Sequence, residues 1–507
     1  MKTLFSLLLT VGITWSAAAQ PDIDRIDQYI ANAQRDWQIP GLAVGIVKDG
    51  EVVLSKGYGV KALGKPDLVD EHTLFAIASN TKAYIATALA VLVARDSLSW
   101  KDKVQDILPY FELYDPYVTA NTTIEDLLCH RVGLGTFSGD LMWYKSELTA
   151  PEVIKKIKYV PQAFGFRDGF GYSNLMFITA GEVIREVSGQ PWSEFVKQTF
   201  FDPLDMKRTI TSTNDLKAKG NYAMPHKPYE DKQEVIPWVN WDNMGAAGGI
   251  ISSVADMNQW LLANLQAGVF NGDTIIPSDQ QDILWTPRRN FTVSGEDREK
   301  HPGVQFRGYG LGWGVSNYGT SRIISHSGGY DGMYSRVALL PELNLGIVVL
   351  TNSMKGIGGQ LALYIADKYL DNPEKDWAGE ALAKRKKNEE QAKPITQSKK
   401  KRKKKTEPTH APEYYAGTYS SGMHGNVKIS SQESSLRMEF ENAPALSATL
   451  THWHYDIWQI NWDETHAWFD FGTVQFLLDN NLKPIGLKFD VPNHDIFFDE
   501  VDLKKIK

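Results

Sequence analysis

Apolar positions along the chain follow two periods, and the period switches where the elements change. From Pro21 to Trp37, Ile23, Ile26 and Ile30 form a stripe at helical spacing. Gly41 to Leu54 is two apolar runs joined at Asp49-Gly50, a pattern that predicts a tight hairpin. Thr73 to Arg95 is rich in Ala and Leu, with no Gly or Pro, and predicts a buried helix beginning near Ser79. Helices and loops alternate from 100 to 245, most clearly at Ile124–Leu128 and Phe177–Val187. Strands return over 308–351, where Ile323-Ile324 leads into Ser325-His326. Tyr334–Leu340 and Leu345–Leu350 make a second hairpin, and 358–370 reads as a closing helix. Strands at both ends with helices between them predict an α/β (α+β) architecture. It has one antiparallel sheet built from both chain ends, flanked by helices and carrying a helical lobe.

Beyond residue 411 the texture is all-β. Tyr414–Tyr419, Asn426–Ile429, Leu436–Phe440, Ile457–Trp462, Trp468–Leu478 and Ile485–Val491 alternate as short strands, and Asp479-Asn480-Asn481 is a turn. These predict a small barrel-like domain. The expected organisation is a signal peptide at 1–19, a catalytic domain at 20–372, a basic linker at 373–410 and the β-domain at 411–507. Residues 20–375 are expected to fold alone, because a Lys-rich spacer makes few contacts.

Composition narrows the classes. Apolar content of 42% and charged content of 23% are ordinary for a globular protein. The apolar Leu4–Ala18 stretch is too short to span a bilayer, and Ala17-Ala18-Ala19 predicts cleavage after Ala19 and a periplasmic or secreted protein. No later stretch is long enough for a transmembrane anchor. Residues 384–405 hold twelve Lys and Arg against Glu389 and Glu390, a local charge of +10, while the whole chain carries −7. The body is thus acidic at −17, which argues against nucleic acid as a partner. The basic run is expected to be solvated, with weak contact to an anionic envelope surface as the sharper alternative. A single cysteine, Cys129, excludes an internal disulfide. The pattern gives no sign of oligomeric state.

The chemistry centres on Ser79-Asn80-Thr81-Lys82. Spacing i, i+3 puts Ser79 and Lys82 on one helix face, where a partly desolvated amine accepts the hydroxyl proton. S-x-x-K also occurs at Ser398–Lys401, inside the basic run, so context must decide. The plain alternative for Ser79 is a helix cap. Tyr172-Ser173-Asn174 follows Gly169-Phe170-Gly171, and Tyr172 alone of 21 tyrosines has Asn two residues on. An ammonium nearby is expected to ease ionisation of that phenol and make it a base. The alternative is a Tyr packed at a helix start. His326-Ser327-Gly328-Gly329 ends an apolar strand in small residues that admit a substrate backbone and an oxyanion. Here the alternative is a satisfied core histidine, and His301-Pro302-Gly303 is a competing loop copy.

Taken in the order S-x-x-K, Y-x-N, H-x-G, these motifs resemble the serine β-lactamase and penicillin-recognising family, in its class C, D-aminopeptidase and esterase branch. Leu127–Leu134, Gly248–Met257 and Tyr309–Trp313 share the resemblance, and the C-terminal domain is similar to lipocalin-like domains appended to family peptidases. The resemblance implies Ser79 as nucleophile, Lys82 as its proton partner and Tyr172 as base and then acid. It implies Asn174 as an orienting group. Ser79 and Gly329 N–H groups form the oxyanion hole, with Ser327 and Gly328 beside the substrate. The implied activity is cleavage of D-amino-acid peptides or amides, small esters or β-lactams, with no cofactor. The alternative is a penicillin sensor that is acylated without turnover. His326 replaces a Lys that grips substrate carboxylates, so neutral amides and esters are expected to be preferred over cephalosporins. Arg131-Val132 departs from the family's Thr-Ser. Cys129-His130 is expected to be core. The histidines of His452-Trp453-His454-Tyr455-Asp456 are expected to be strand residues without metal, and the tryptophans there packing residues.

Overall fold

The structure, a computed structural model, describes residues 21–229, 232–300, 303–391 and 400–506. The expected signal peptide, Ser398 and His301-Pro302 lie outside them. Helix α1 (Ile23–Asp36) precedes the hairpin of β1 (Gly41–Lys48) and β2 (Glu51–Gly59). Asp49 and Gly50 both take positive φ, 52° and 86°, as a two-residue hairpin turn requires. Helix α2 (Thr81–Ala94) and helix α3 (Asn174–Ser188) form the lobe. Next come α4 (Val254–Leu265), β3 (Arg289–Phe291), β4 (Arg307–Tyr309) and β5 (Gly314–Tyr318). The body ends with β6 (Ser321–Tyr330), β7 (Met333–Leu340), β8 (Leu345–Thr351) and α5 (Gly358–Tyr369).

These strands make one eight-stranded sheet in the order β2-β1-β8-β7-β6-β5-β4-β3. The last strand of the body therefore pairs antiparallel with the first, Val44 opposite Val349. Every residue of β8 is buried. Its alternate residues serve two cores: Val348 and Leu350 pack with α2 and α4, while Ile347 and Val349 pack with α1 and α5. Helix α2 is buried from Thr81 to Leu92, so it is apolar on all sides and sits inside the body.

The stretch expected as a linker carries helix α6 (Trp377–Gln391), which packs on the body. Trp37 Nε1 donates to the Ala378 carbonyl at 3.0 Å, and Tyr29 donates to Asp376 at 2.8 Å. Apolar Trp377, Ala378, Ala381 and Leu382 give α6 a face that the basic composition around it concealed.

The C-terminal domain is a closed barrel of eight strands, β9 to β16: Gly417–Ser421, Gly425–Gln432, Ser435–Phe440, Ala448–His454, Ile457–Trp462, Gly472–Leu478, Pro484–Asp490 and Leu503–Lys505. Sequence pattern named six of them. Ala448–His454 escaped because Thr and His occupy its outward positions, and Leu503–Lys505 because it is three residues long. Barrel and body share one continuous apolar cluster. Polar ties reinforce it: Gly139 N–H donates to Glu500 at 2.7 Å, Lys145 pairs with Glu464 at 3.0 Å, and Lys227 pairs with Asp470 at 2.5 Å. Among the described residues, no helix is long and apolar enough to cross a membrane.

Candidate active site

Ser79 lies in a 3-10 turn (Ala78–Asn80) that feeds α2, and its side chain caps nothing. Ala78 just before it holds φ +46°, a strained value for a residue with a side chain. The turn is clamped from β7: Ser335 donates to the Ile77 carbonyl at 2.6 Å, and Asn80 Nδ2 donates to Ser335 at 2.8 Å.

Lys82 is fully buried, and three oxygens surround its Nζ. Asn174 Oδ1 and the Ala247 carbonyl each lie at 2.7 Å, and Ser79 Oγ at 3.2 Å. Burial pulls the ammonium down to about 7, although the Asp140 carboxylate pushes it up. In the neutral form two N–H groups satisfy Asn174 and Ala247, leaving the lone pair for the Ser79 hydroxyl. Asn174, at the start of α3, passes the contact on: its Nδ2 donates to Asp140 at 2.7 Å. Asp140 is itself buried; desolvation raises its carboxyl, while the Asn174 hydrogen bond and the Lys82 ammonium pull it back, so Asp140 and Lys82 titrate as a pair.

Tyr172 stands over this group, with Lys82 Nζ 4.9 Å from its ring centre. The expected easing of its ionisation does not occur. Burial raises the phenol well above its usual range, and the hydrogen bond with Ser79 offsets only part. Tyr172 is therefore a protonated phenol in the resting site.

Behind Tyr172 the structure assembles a chain that sequence reasoning missed. Ser173 N–H donates to His130 Nδ1 at 3.0 Å, so that nitrogen is the acceptor. His130 Nε2 must then carry the proton and donate to Tyr309 Oη, 3.3 Å away. Tyr309 in turn donates to His326 Nε2 at 2.9 Å, and His326 Nδ1 donates to the Ser327 carbonyl at 2.6 Å. Burial holds His130 well below its ordinary value and His326 at about 3, so both rings stay neutral. Neither nitrogen of His326 is left over for a substrate, which corrects the expectation that it offers one donor there. His130 also packs on Tyr172, ring centres 4.4 Å apart. Its positive φ of 59° and the turn around it were invisible in an apolar stretch. Cys129 is buried, and its thiol is pushed up to about 12, so it is no nucleophile. Arg131 pairs with Asp126 and Glu125 at 2.5 and 2.8 Å, which accounts for its place in the motif.

The third motif runs past the end of β5, so residues 326–330 of β6 pair only with β7 among the described strands. That leaves a free edge beside Ser79. A methyl group on Gly328 would lie 2.2 Å from the Ile77 carbonyl oxygen and 2.9 Å from the Ser79 nitrogen, so only glycine fits. A cavity of about 590 Å³ opens on Ser79, Tyr172, Asn174, His326 and Ser327 to Gly329. Its roof comes from the barrel: Trp468, Asp495 and Ile496. The Trp468 ring reaches the motif itself, because a methyl group on Gly329 would lie 3.3 Å from its edge. The histidines of the barrel serve structure: His452 meets the Tyr455 carbonyl at 2.9 Å, and His454 accepts from Lys403 N–H at 3.3 Å.

Comparison with known proteins follows this geometry. Residues 401–505 match a domain of unknown function, DUF3471. Unguisins hydrolases from Aspergillus violaceofuscus and Aspergillus campestris are 29% and 30% identical, over 69% and 70% of this chain. The chain spans 65% and 68% of their lengths. Among solved structures, the octameric penicillin-binding protein homologue of Pyrococcus abyssi superposes with a TM-score of 0.62 at 20% identity. That likeness covers 96% of this chain and 100% of the homologue. The D-amino acid amidase of Ochrobactrum anthropi gives 0.55 at 22%, over 68% of this chain and 98% of the amidase. The profile of the family described as Beta-lactamase matches residues 26–370, and on that match the chain belongs to the Beta-lactamase family.

Proposed function

We propose that the protein is an exported serine hydrolase that opens amide or ester bonds through an acyl-enzyme on Ser79. The observation that carries this is the buried Lys82 amine, lowered to about 7 and aimed at Ser79 Oγ with its other partners satisfied. Lys82 takes the Ser79 proton as Oγ bonds to the substrate carbonyl. The Ser79 and Gly329 N–H groups receive the oxyanion. Tyr172 gives its proton to the departing nitrogen or oxygen, and the proton on Lys82 resets the phenol. Water then repeats the sequence to release the acid. Asn174 and Asp140 orient Lys82, and the His130–Tyr309–His326 chain holds Tyr172 and β6 in register. The activity named for the Ochrobactrum amidase supports amide substrates, and the name of the Aspergillus proteins supports a hydrolase. The Leu4–Ala19 segment supports export.

Intact-protein mass spectrometry with a fluorophosphonate and with a penicillin tests the reading. A fluorophosphonate adduct on Ser79 and a transient penicillin adduct are expected. A permanent penicillin adduct identifies a sensor instead, and an unlabelled Ser79 removes the proposal.

A further inference from the structure

We propose that the outer end of the C-terminal barrel docks on an anionic lipid bilayer, with the basic strap Lys400–Lys405 on the headgroups and apolar loop tips seated among them. The two ends of the barrel are built differently. At one end each of the four loops is tied to the body. In the β9–β10 loop the Gly422 carbonyl accepts from Lys156 at 3.3 Å, and in the β11–β12 loop the Asn442 carbonyl accepts from Glu147 N–H at 2.8 Å. The β13–β14 loop supplies Glu464 to Lys145, and the β15–β16 loop supplies Glu500 to Gly139. The antiparallel strands carry their other turns, at Glu433, Tyr455 and Leu482, to the opposite end of the barrel.

That outer end keeps large apolar groups in solvent. Tyr414, Tyr455, Leu482 and Ile506 are 50, 55, 52 and 57% exposed. Single exposed apolar residues are ordinary, whereas four gathered at one end of a barrel make a patch. Tyr455 and Leu482 also hold positive φ, 49° and 62°, a costly backbone for large side chains at the surface. The tips are joined to one another. His410 stacks on Tyr414 with ring centres 4.1 Å apart, and its Nε2 donates to the Leu482 carbonyl at 2.6 Å. Asp456, next to Tyr455, accepts from Thr409 at 2.8 Å and from Tyr415.

The strap is pinned along the same end. Arg402 donates to the Trp453 carbonyl at 2.9 Å, and its guanidinium lies 4.5 Å from the Trp453 ring centre. Lys403 N–H donates to His454 at 3.3 Å, and Tyr455 N–H donates to Thr406 at 3.1 Å. Arg402 serves as the pin, while Lys400, Lys401, Lys403, Lys404 and Lys405 are exposed. Glu407, Glu413 and Glu433 stand at this end too, so the positive excess lies in the strap. Cations beside Tyr and Leu tips are the composition of a membrane-surface site. Charge draws the protein to anionic headgroups, and the apolar tips settle at headgroup depth. A soluble polyanion would engage the lysines and leave the tips idle. The acidic body, at the other end of the barrel, is repelled by the same surface and orients the molecule. Strands of this length and ordinary tilt hold the catalytic cavity roughly 20 Å above the lipid.

Cosedimentation of the chain from Gln20 onward with vesicles is the test. One set is phosphatidylcholine, and the other carries about 30% phosphatidylglycerol. Wild type is expected to bind the anionic set only, and to release it as salt rises. Glutamine at Lys400, Lys401, Lys403, Lys404 and Lys405 together should lower the partition at least about a hundredfold. Tyr455→Ser with Leu482→Ser, which keeps every cation, should lower it about tenfold, and Tyr414→Ser repeats that reading away from the strained turns. Thermal melting of each variant reports its fold. No binding by wild type, equal binding to both sets, or a glutamine variant that binds as wild type overturns the proposal. Loss in the glutamine variant with none in the serine variants overturns the bilayer in favour of a soluble polyanion, which binding to polyphosphate would confirm.

Discussion

The floor and the roof of the catalytic cavity are built on opposite rules. The floor is Ser79, Lys82, Asn174 and Asp140, joined by hydrogen bonds of 2.7 to 3.2 Å inside a buried lobe. The roof is Trp468, Asp495 and Ile496, carried on loops of the barrel. Between Gly472 and the end of β13 at Trp462 lies a loop with no regular structure, and Trp468 sits on it. A floor of buried, hydrogen-bonded polar groups holds Ser79 and Lys82 in one geometry. The roof comes from loops of another domain, and Trp468 there is tied to the body by a hydrogen bond to the buried Asp331 carboxyl. On the proposed reading the reaction belongs to the body, while the barrel borders the space that a substrate would enter.

Breaking the floor should have the largest effect. Ser79→Ala and Lys82→Ala are each expected to lower kcat by at least about a thousandfold, with thermal melting of Ser79→Ala unchanged. The two should not add in the double variant, because they act as one unit. Wild-type turnover in Ser79→Ala would falsify the floor.

Separating floor from roof is the next test. A chain cut at 375 loses the barrel's share of the common core, together with Trp377 and Ala378 against α1 and α5. Burying those two side chains contributes about 3 kcal/mol, or a fall of roughly 4 °C in Tm for a unit of this size. Calorimetry on the cut chain checks it. A Tm within 2 °C of the full chain would restore the expectation of an independent unit.

These contrasts also show what sequence reveals. The sheet built from both chain ends was legible because β1 and β8 are uninterrupted apolar runs with turn residues at their ends. Ser79, Lys82, Tyr172 and Asn174 were legible because motif spacing lies within one element or loop. Asp140, His130 and Tyr309 were not, since what matters is which distant groups meet them. Asp140 meets Asn174 across 34 positions and Tyr309 meets His326 across 17. The ionisation of Tyr172 was misjudged for the same reason. Proximity to a charge can be guessed from spacing, whereas complete burial cannot.

The protonation of the floor gives a sharper test. Lys82 must be neutral to accept a proton, so kcat/KM should rise with pH through about 7 and lose about tenfold for each unit below it. Asp140 favours the charged amine, so Asp140→Asn should move this acidic limb to lower pH. The pH–rate profiles of both enzymes check the sign. A limb that moves upward, or stays in place, would mean that Asp140 does not couple to Lys82.

The smallest effect is expected at the roof, and it separates shape from chemistry. Trp468 reaches Gly329 from the barrel and covers that part of the cavity. Trp468→Ala removes that cover but leaves Ser79, Lys82 and Tyr172 untouched. Losing a partly exposed aromatic contact costs about 1–1.5 kcal/mol, or roughly a tenfold fall in kcat/KM for a substrate large enough to touch it. An acetyl ester too small to reach the ring should lose less than twofold. Trp468→Phe should keep most of the larger substrate's rate. The comparison is between substrates within one variant, so a general weakening of the fold would lower both rates together. Equal losses for the large and small esters would show that the barrel supports the active site as a prop and takes no part in selecting what enters it.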